Sequence, residues 1–238
     1  MAMSYKSSLF ENIILVDLTH SLDSTIPSWD GHCGFHNSLR KDYDSKAEVQ
    51  FRTYDIKMQA GMGTHIDAPL HCFAGGKSVE DISLKSLFAP CIVIDVSKKS
   101  HERYSLTVED IHEFESLHGA LSPGCFVIMY SGWDTHWDTP EKYRNNLVFP
   151  SISKEAAQEL IKRQIVGVGV DTLSPDRPED GYFVHQLILG AGNFIIENIA
   201  NASSLPAIGS YILALPMKIK EATEAPMRLV ALLLEPTQ

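Results

Sequence analysis

The segment Gly61 to His71, GMGTHIDAPLH, places two imidazoles and a carboxylate within seven positions. If His65 and Asp67 are extended, the two-residue period of a strand points both to one face, and Ala68-Pro69 turns the chain so that His71 can return to it. Gly61 and Gly63 let the backbone pass close to whatever sits there. A neutral His nitrogen and an ionised Asp oxygen suit zinc, manganese or ferrous iron. Two donors rarely hold a catalytic ion, and the sequence offers a second pair, His185 and Glu197. His185 lies in an apolar, helix-like run, FVHQLILGAG, and Glu197 ends the strand-like FIIE. A charge inside an apolar pattern needs a partner or a metal. A lone His in such a run also serves as a hydrogen-bonded core residue, and it is the company of GTHIDAPLH that favours ligation.

These residues need a frame. Runs rich in branched residues predict strands at Ile13 to Leu18, Phe51 to Met58, Cys91 to Val96, Cys125 to Tyr130, Ile165 to Val170, Phe194 to Ile196, Tyr211 to Leu215 and Leu229 to Leu234. Thr107 with Asp110 three positions later predicts a capped helix to about Leu117, with Val108, Ile111, Phe114 and Leu117 on one face. Ser153 caps a second helix carrying Ala156, Leu160 and Ile161. Strands and helices alternate from about residue 91 to 170 and strands dominate the ends, so the class is α/β with a mixed β-sheet. No Pro/Gly/Ser-rich linker divides the chain, which predicts a single domain over 1-238. The stretch Ser131 to Pro150 gathers Trp133, His136, Trp137, Tyr143, Asn145 and Asn146 among turn residues and serves either substrate contact or packing.

Composition excludes several classes. Of 238 residues 44% are hydrophobic and 21% charged, the profile of a folded globular chain. Lys and Arg number 20 against 30 Asp and Glu, a formal net charge of -10, with no basic stripe to displace counterions, so nucleic acid is not an expected partner. No window approaches the roughly 18 apolar residues of a membrane span, and Ile13 to Val16 is too short for a signal core, so no membrane association and a cytoplasmic location are expected. The cysteines at 33, 72, 91 and 125 lack CxxC spacing and read as reduced core thiols. GxSxG, GxGxxG, GxxxxGK and HExxH are absent, which disfavours a serine hydrolase, a phosphate-binding loop and a zincin.

Beyond the residues themselves, the chain resembles the bacterial cyclase family of metal-dependent hydrolases, which includes kynurenine formamidase and isatin hydrolase and has the signature H-x-G-T-H-x-D-x-P-x-H. Gly63, Thr64, His65, Asp67, Pro69 and His71 match it. DLTHSLDSTIPSWDG at Asp17 to Gly31 and GVGVDTLSPD at Gly167 to Asp176 look like further family segments, and His185 with Glu197 reproduces its distal pair. The resemblance implies a swivelling β/β/α-like fold, His65, Asp67, His185 and Glu197 as metal ligands, and His71 as general acid/base. It implies a divalent metal, zinc first and manganese second, at one or two ions per chain, and a homodimer or homotetramer acting on a small-molecule substrate. The reaction implied is hydrolysis of a formamide-type amide, with lactone or cyclic-imide hydrolysis as the alternative and an inactive binding protein of the same fold as the rival.

One departure matters. The signature's first His falls on Gly61, which has no side chain to ligate anything, so a mononuclear site, or one completed by water or another residue, is expected. Trp29, Phe73 and Trp133 lie beside matched segments and are the candidate substrate contacts, with core packing as their other use. Thr64 either steadies a ligand or stabilises a turn. Asp171 and Ser174 either shape the cavity or cap a turn. The remaining histidines, including His20 and His136, take ordinary positions.

Overall fold

Continuous apolar runs along the central strands dictate a sheet with two covered faces. A computed structural model describes residues 12–44 and 46–234. In chain order the strands are β1 (Ile13–Asp17), β2 (Phe35–Lys41), β3 (Thr53–Met58), β4 (His65–Asp67), β5 (Phe88–Asp95), β6 (Ser105–Leu106), β7 (Phe126–Tyr130), β8 (Ser151–Ile152), β9 (Gly167–Val170), β10 (Phe194–Glu197), β11 (Ser210–Pro216) and β12 (Glu224–Leu234). The α-helices are α1 (Leu84–Leu87), α2 (Val108–His118), α3 (Pro140–Arg144), α4 (Lys154–Lys162) and α5 (Phe183–Gly190).

The sheet runs β1-β12-β11-β5-β7-β9-β10-β4, and β4 pairs again with β12, so seven of its strands form a barrel-like ring while β1 continues along the edge of β12. Strands β5, β7, β9 and β10 are mutually parallel, and the β4, β12 and β11 pairings are antiparallel. The period of two sorts the side chains. Cys91, Val93, Phe126, Ile128, Phe194, Ile196 and Ile66 fill the ring, whereas Ile92, Ile94, Val127, Met129, Val168 and Ile195 face outward. The outward set is covered by Ile111 and Phe114 of α2, Ala156 and Leu160 of α4, and Val184 and Ile188 of α5.

Inside the ring, β9 gives way to the aromatics. Phe126 and Phe194 stack at 5.4 Å. A Cβ on Gly169 would lie 2.9 Å from the Phe126 ring, and one on Gly167 would lie 2.5 Å from the Phe194 carbonyl. Only glycine fits beside that pair.

The helix starts follow from their caps. Thr107 Oγ1 accepts from Asp110 N at 3.2 Å and Asp110 Oδ2 accepts from Thr107 N at 2.8 Å, while Ser153 Oγ accepts from Ala156 N at 3.1 Å. Leu117, expected on the apolar face of α2, is exposed, and Ile111 and Phe114 carry the packing. Several strands depart from expectation: the two-residue β6 and β8, which pair with each other, carry no run to read, and β5 begins at Phe88 rather than Cys91. Strand β2 is polar and mostly exposed, pairing only with β3, so it carries no core alternation to read. Strand β12 begins at Glu224 rather than Leu229, because Pro226 is tolerated where pairing with β11 ends at Pro216. Those five extra residues complete the ring. Cys91 and Cys125 are buried free thiols, but Cys33 is half-buried and Cys72 exposed, so only two of the four are core thiols. Among the described residues no helix is long and apolar enough to cross a membrane.

Candidate metal centre and active site

Three neighbouring strands and one helix assemble the site. In the register of β4 against β10, Glu197 lies opposite His65, and in that of β4 against β12, Glu224 lies opposite Asp67. Ile66, Ile196 and Ala225 point into the ring, so His65, Asp67, Glu197 and Glu224 share the outer face. Helix α5 lies against that face and contributes His185, buried at 7% exposure despite its apolar helix.

Both ligand-candidate imidazoles are held from behind. His65 Nδ1 bonds to Gly63 O at 2.8 Å and His185 Nδ1 to Asp176 Oδ2 at 2.7 Å. A carbonyl or carboxylate can only accept, so Nδ1 carries the proton and donates it, and each Nε2 faces the cluster, as a metal-binding imidazole requires. His65 Nε2 lies 3.4 Å from Asp67 Oδ1 and 3.4 Å from Glu197 Oε2; His185 Nε2 lies 3.6 Å from Asp67 Oδ2 and 3.5 Å from Glu197 Oε1. These separations exceed ordinary hydrogen bonds, so the donors surround a space instead of closing on one another. Asp67 Oδ1 is buried with no hydrogen-bond partner. An orphaned, buried carboxylate oxygen among imidazole nitrogens fits a divalent cation, and two groups of donor atoms, Asp67–His185–Glu197 and His65–Asp67–Glu224, each lie within 4.8 Å of one another.

The electrostatics agree. Burial would lower both imidazoles, but Asp67 and Glu197, with Asp176 at His185, outweigh it and hold them well above the ordinary histidine range. Burial would likewise raise Asp67, and His185 and His65 instead hold it well below the usual carboxylate range. Such a cluster rewards positive charge at its centre, which a divalent ion supplies as it displaces those protons.

His71 follows Pro69 in a single turn of 3-10 helix and returns to this face. It is exposed, its ring centroid 5.9 Å from that of His185 and its Nδ1 3.4 Å from Glu224 Oε2. Glu224 raises its pKa, with burial opposing.

A cavity of about 620 Å³ opens over the cluster, walled by Trp29, Met62, Leu173 and Tyr182 and floored by His65, Asp67, His71, His185, Glu197 and Glu224. Trp29 therefore stands at the cavity, its ring 6.4 Å from that of Tyr182. Phe73 and Trp133 do not line it. Phe73 lies over α5, where a Cβ on Gly190 would meet its ring at 3.1 Å. Trp133 is spent on packing: its Nε1 donates to Tyr143 O at 2.8 Å within an aromatic cluster that also holds Phe149 and Leu173. The 131–150 segment instead reaches the cavity indirectly, because Arg144 Nε donates to the carbonyl of Trp29 at 2.8 Å.

Supporting residues carry the geometry. Thr64 Oγ1 donates to Asn198 O at 2.6 Å and accepts from His20 N at 3.1 Å, tying β4 to neighbouring segments. Asp171 accepts from Ser131 N, Ser131 Oγ and Trp133 N away from the cavity, where burial pushes it up to about 6. Ser174 lines the cavity. Three residues that sequence reasoning missed matter as much. Asp176 orients His185 and also accepts from the backbone N of Val184 and His185, starting α5. Asn198 Nδ2 donates at 2.9 Å to the same Gly63 carbonyl that accepts from His65. Glu224 enters only through strand register; no local motif marks it.

Ring, flanking helices and cluster together define a mixed α/β fold carrying His and carboxylate donors of the kind that hold a divalent cation. The chain belongs to the Cyclase family: the family model described as "Putative cyclase" matches residues 16–177. It is 31% identical to the isatin hydrolase of Roseibium aggregatum over 71% of this chain and 70% of that protein, and 26% identical to the kynurenine formamidase of Bacillus cytotoxicus over 90% and 95%. A solved isatin hydrolase bound to the product analogue thioisatinate superposes with a TM-score of 0.86 at 27% identity over 94% of each chain. A structure described as a potential metal-dependent hydrolase with cyclase activity matches with a TM-score of 0.74 at 26% identity over 94% of this chain and 100% of that one. The relatives matched by this chain are thus named as an isatin hydrolase, kynurenine formamidases and a potential metal-dependent hydrolase.

Proposed function

We propose that the chain is a metal-dependent hydrolase of an amide bond in a small aromatic substrate, with His65, Asp67, His185 and Glu197 as the ligand set, zinc first and manganese second. The buried Asp67 carboxylate, its Oδ1 orphaned beside His65 and its Oδ2 facing His185, between two back-held imidazoles, carries the metal reading. A divalent ion held there would lower the pKa of a bound water from about 16 towards 7 and polarise the carbonyl. Asp176 and the Gly63 carbonyl keep both Nε2 atoms pointed at the centre. His71, raised in basicity by Glu224 and open to the cavity, takes the proton of the attacking water and returns it to the leaving nitrogen, a role commonly worth about a hundred- to ten-thousand-fold in rate. Trp29 and Tyr182 provide aromatic faces for a planar substrate, and Trp29 is the one proposed substrate contact retained from the sequence.

Two substrates follow. A formamide of the N-formylkynurenine type is the first reading, in line with the kynurenine formamidases matched along 90% of the chain. A ring-closed amide of the isatin type is the second, favoured by a specific observation: among the described residues no Lys or Arg lines the cavity, which suits a substrate without a carboxylate of its own. We read the layers as the swivelling β/β/α-like arrangement, the whole of 1-238 as one domain, and the assembly as a cytoplasmic homodimer or homotetramer. The test is a side-by-side assay of N-formylkynurenine, isatin and a simple lactone on metal-loaded protein. Turnover of either amide supports the proposal; equal and negligible rates on all three reject it.

A further inference from the structure

Gly61 removes a side chain from the very place where Glu224 adds one. A Cβ at Gly61 would collide with Glu224 Oε1 and sit 3.3 Å from His65 Nε2. The Glu224 carboxylate therefore fills the volume that a side chain at 61 would occupy, and any such side chain would require the carboxylate to swing aside. Asp67 is divided between two neighbourhoods: Oδ2 faces His185, whereas the unpartnered Oδ1 faces His65, on the side where Glu224 lies opposite it in the β4–β12 register. His65, Asp67 and Glu224 present donor atoms within 4.8 Å of one another, separately from the Asp67–His185–Glu197 group.

We propose that Glu224 on β12 completes a second divalent-cation locus with His65 and Asp67, replacing from across the sheet the donor that Gly61 cannot supply. Asp67 is then shared between the loci, one oxygen to each, and the single Nε2 of His65 goes to this one, leaving Asp67, His185 and Glu197 to hold the first ion. Exchanging an imidazole for a carboxylate makes this locus richer in oxygen, which favours manganese over zinc relative to a His-bearing one. The inference rests on the metal-dependent reading above and deepens it.

Calorimetric titration of the chelator-stripped protein with manganese and, separately, zinc tests it, with stoichiometry confirmed by elemental analysis and folding by circular dichroism. The wild type takes up a second ion per chain. Glu224→Gln, which keeps the shape of the side chain, loses that second ion or binds it at least about tenfold more weakly, while the first ion stays within a few fold. Gly61→His alone also disturbs the second ion, through collision with Glu224. The paired Gly61→His/Glu224→Ala variant recovers it, with preference shifted towards zinc. A Glu224→Gln protein that binds both ions at wild-type affinity, or a wild type whose single ion ignores this substitution, overturns the proposal while leaving the metal reading intact. A wild type that takes up no ion overturns both.

Discussion

The two sides of Asp67 are built differently. Towards α5, every donor is buried and braced: His185 is held by Asp176, and Glu197 sits within the paired strand β10. Towards the cavity, His71 is 34% exposed in its side chain and Glu224 24%, and Gly61, beside Glu224, contributes no side chain. The first side is a closed socket whose parts have no other use, and the second is an open rim where water, substrate and proton transfer must meet. Under the proposed function, rigidity is spent where an ion would need fixed ligands, and exposure is kept where the reaction would exchange protons.

Removing the residue common to both sides has the largest effect. Asp67→Ala is expected to drop metal content below about a tenth of an equivalent and abolish turnover, since both donor groups lose their shared oxygen pair; His65→Ala also loses metal. The rim is separated from the socket by His71→Ala, which should keep metal content while lowering kcat by about a hundred- to ten-thousand-fold. Metal loss in that variant would move His71 from proton carrier to ligand. On the socket side, Asp176→Ala should weaken metal binding by about ten- to a hundredfold, because the His185 ring loses its orienting acceptor, with a loss of about 1 kcal/mol from the start of α5. Metal titration and urea unfolding measure the two parts.

Smaller effects separate the cavity wall from its scaffold. Trp29→Ala should raise KM about tenfold, a loss of about 1.4 kcal/mol of aromatic contact, whereas Trp133→Phe should leave KM unchanged and cost about 1 kcal/mol of stability through its lost bond to Tyr143 O. His20, stacked on Trp137 at 3.8 Å, gives the smallest. Burial lowers its pKa from 6.5 to about 4, so the fold binds fewer protons than the unfolded chain in that window and loses stability as pH falls through it. His20→Phe should remove roughly 1 kcal/mol of that acid loss between pH 7 and 4, allowing for partial exposure, as read from urea midpoints.

The buried side was legible in the sequence because its residues announce themselves locally. His65, Asp67 and His71 sit in one short motif, and His185 and Glu197 are polar exceptions in apolar runs. The unbroken apolar runs of β5, β7 and β10 are equally plain, since both faces of those strands are covered. Glu224 was not legible, since nothing in KEATEAP distinguishes it from a surface carboxylate until β12 pairs with β4. Asp176 and Asn198 act through backbone and ring contacts that no spacing encodes. Trp133 and Phe73 misled for the opposite reason. Proximity along the chain to a motif says nothing about which face a side chain takes: the Trp133 ring turned to packing, and the Phe73 ring, 39% exposed, lies over α5 at Gly190.

Metal dependence of the chemistry is the central claim, and one titration addresses it most directly. Protein stripped by chelator and assayed on isatin and N-formylkynurenine should be inactive, and activity on at least one should return in proportion to bound zinc or manganese, reaching its plateau as the ligand set fills. Full turnover by protein containing less than a tenth of an equivalent of any transition metal would contradict the account.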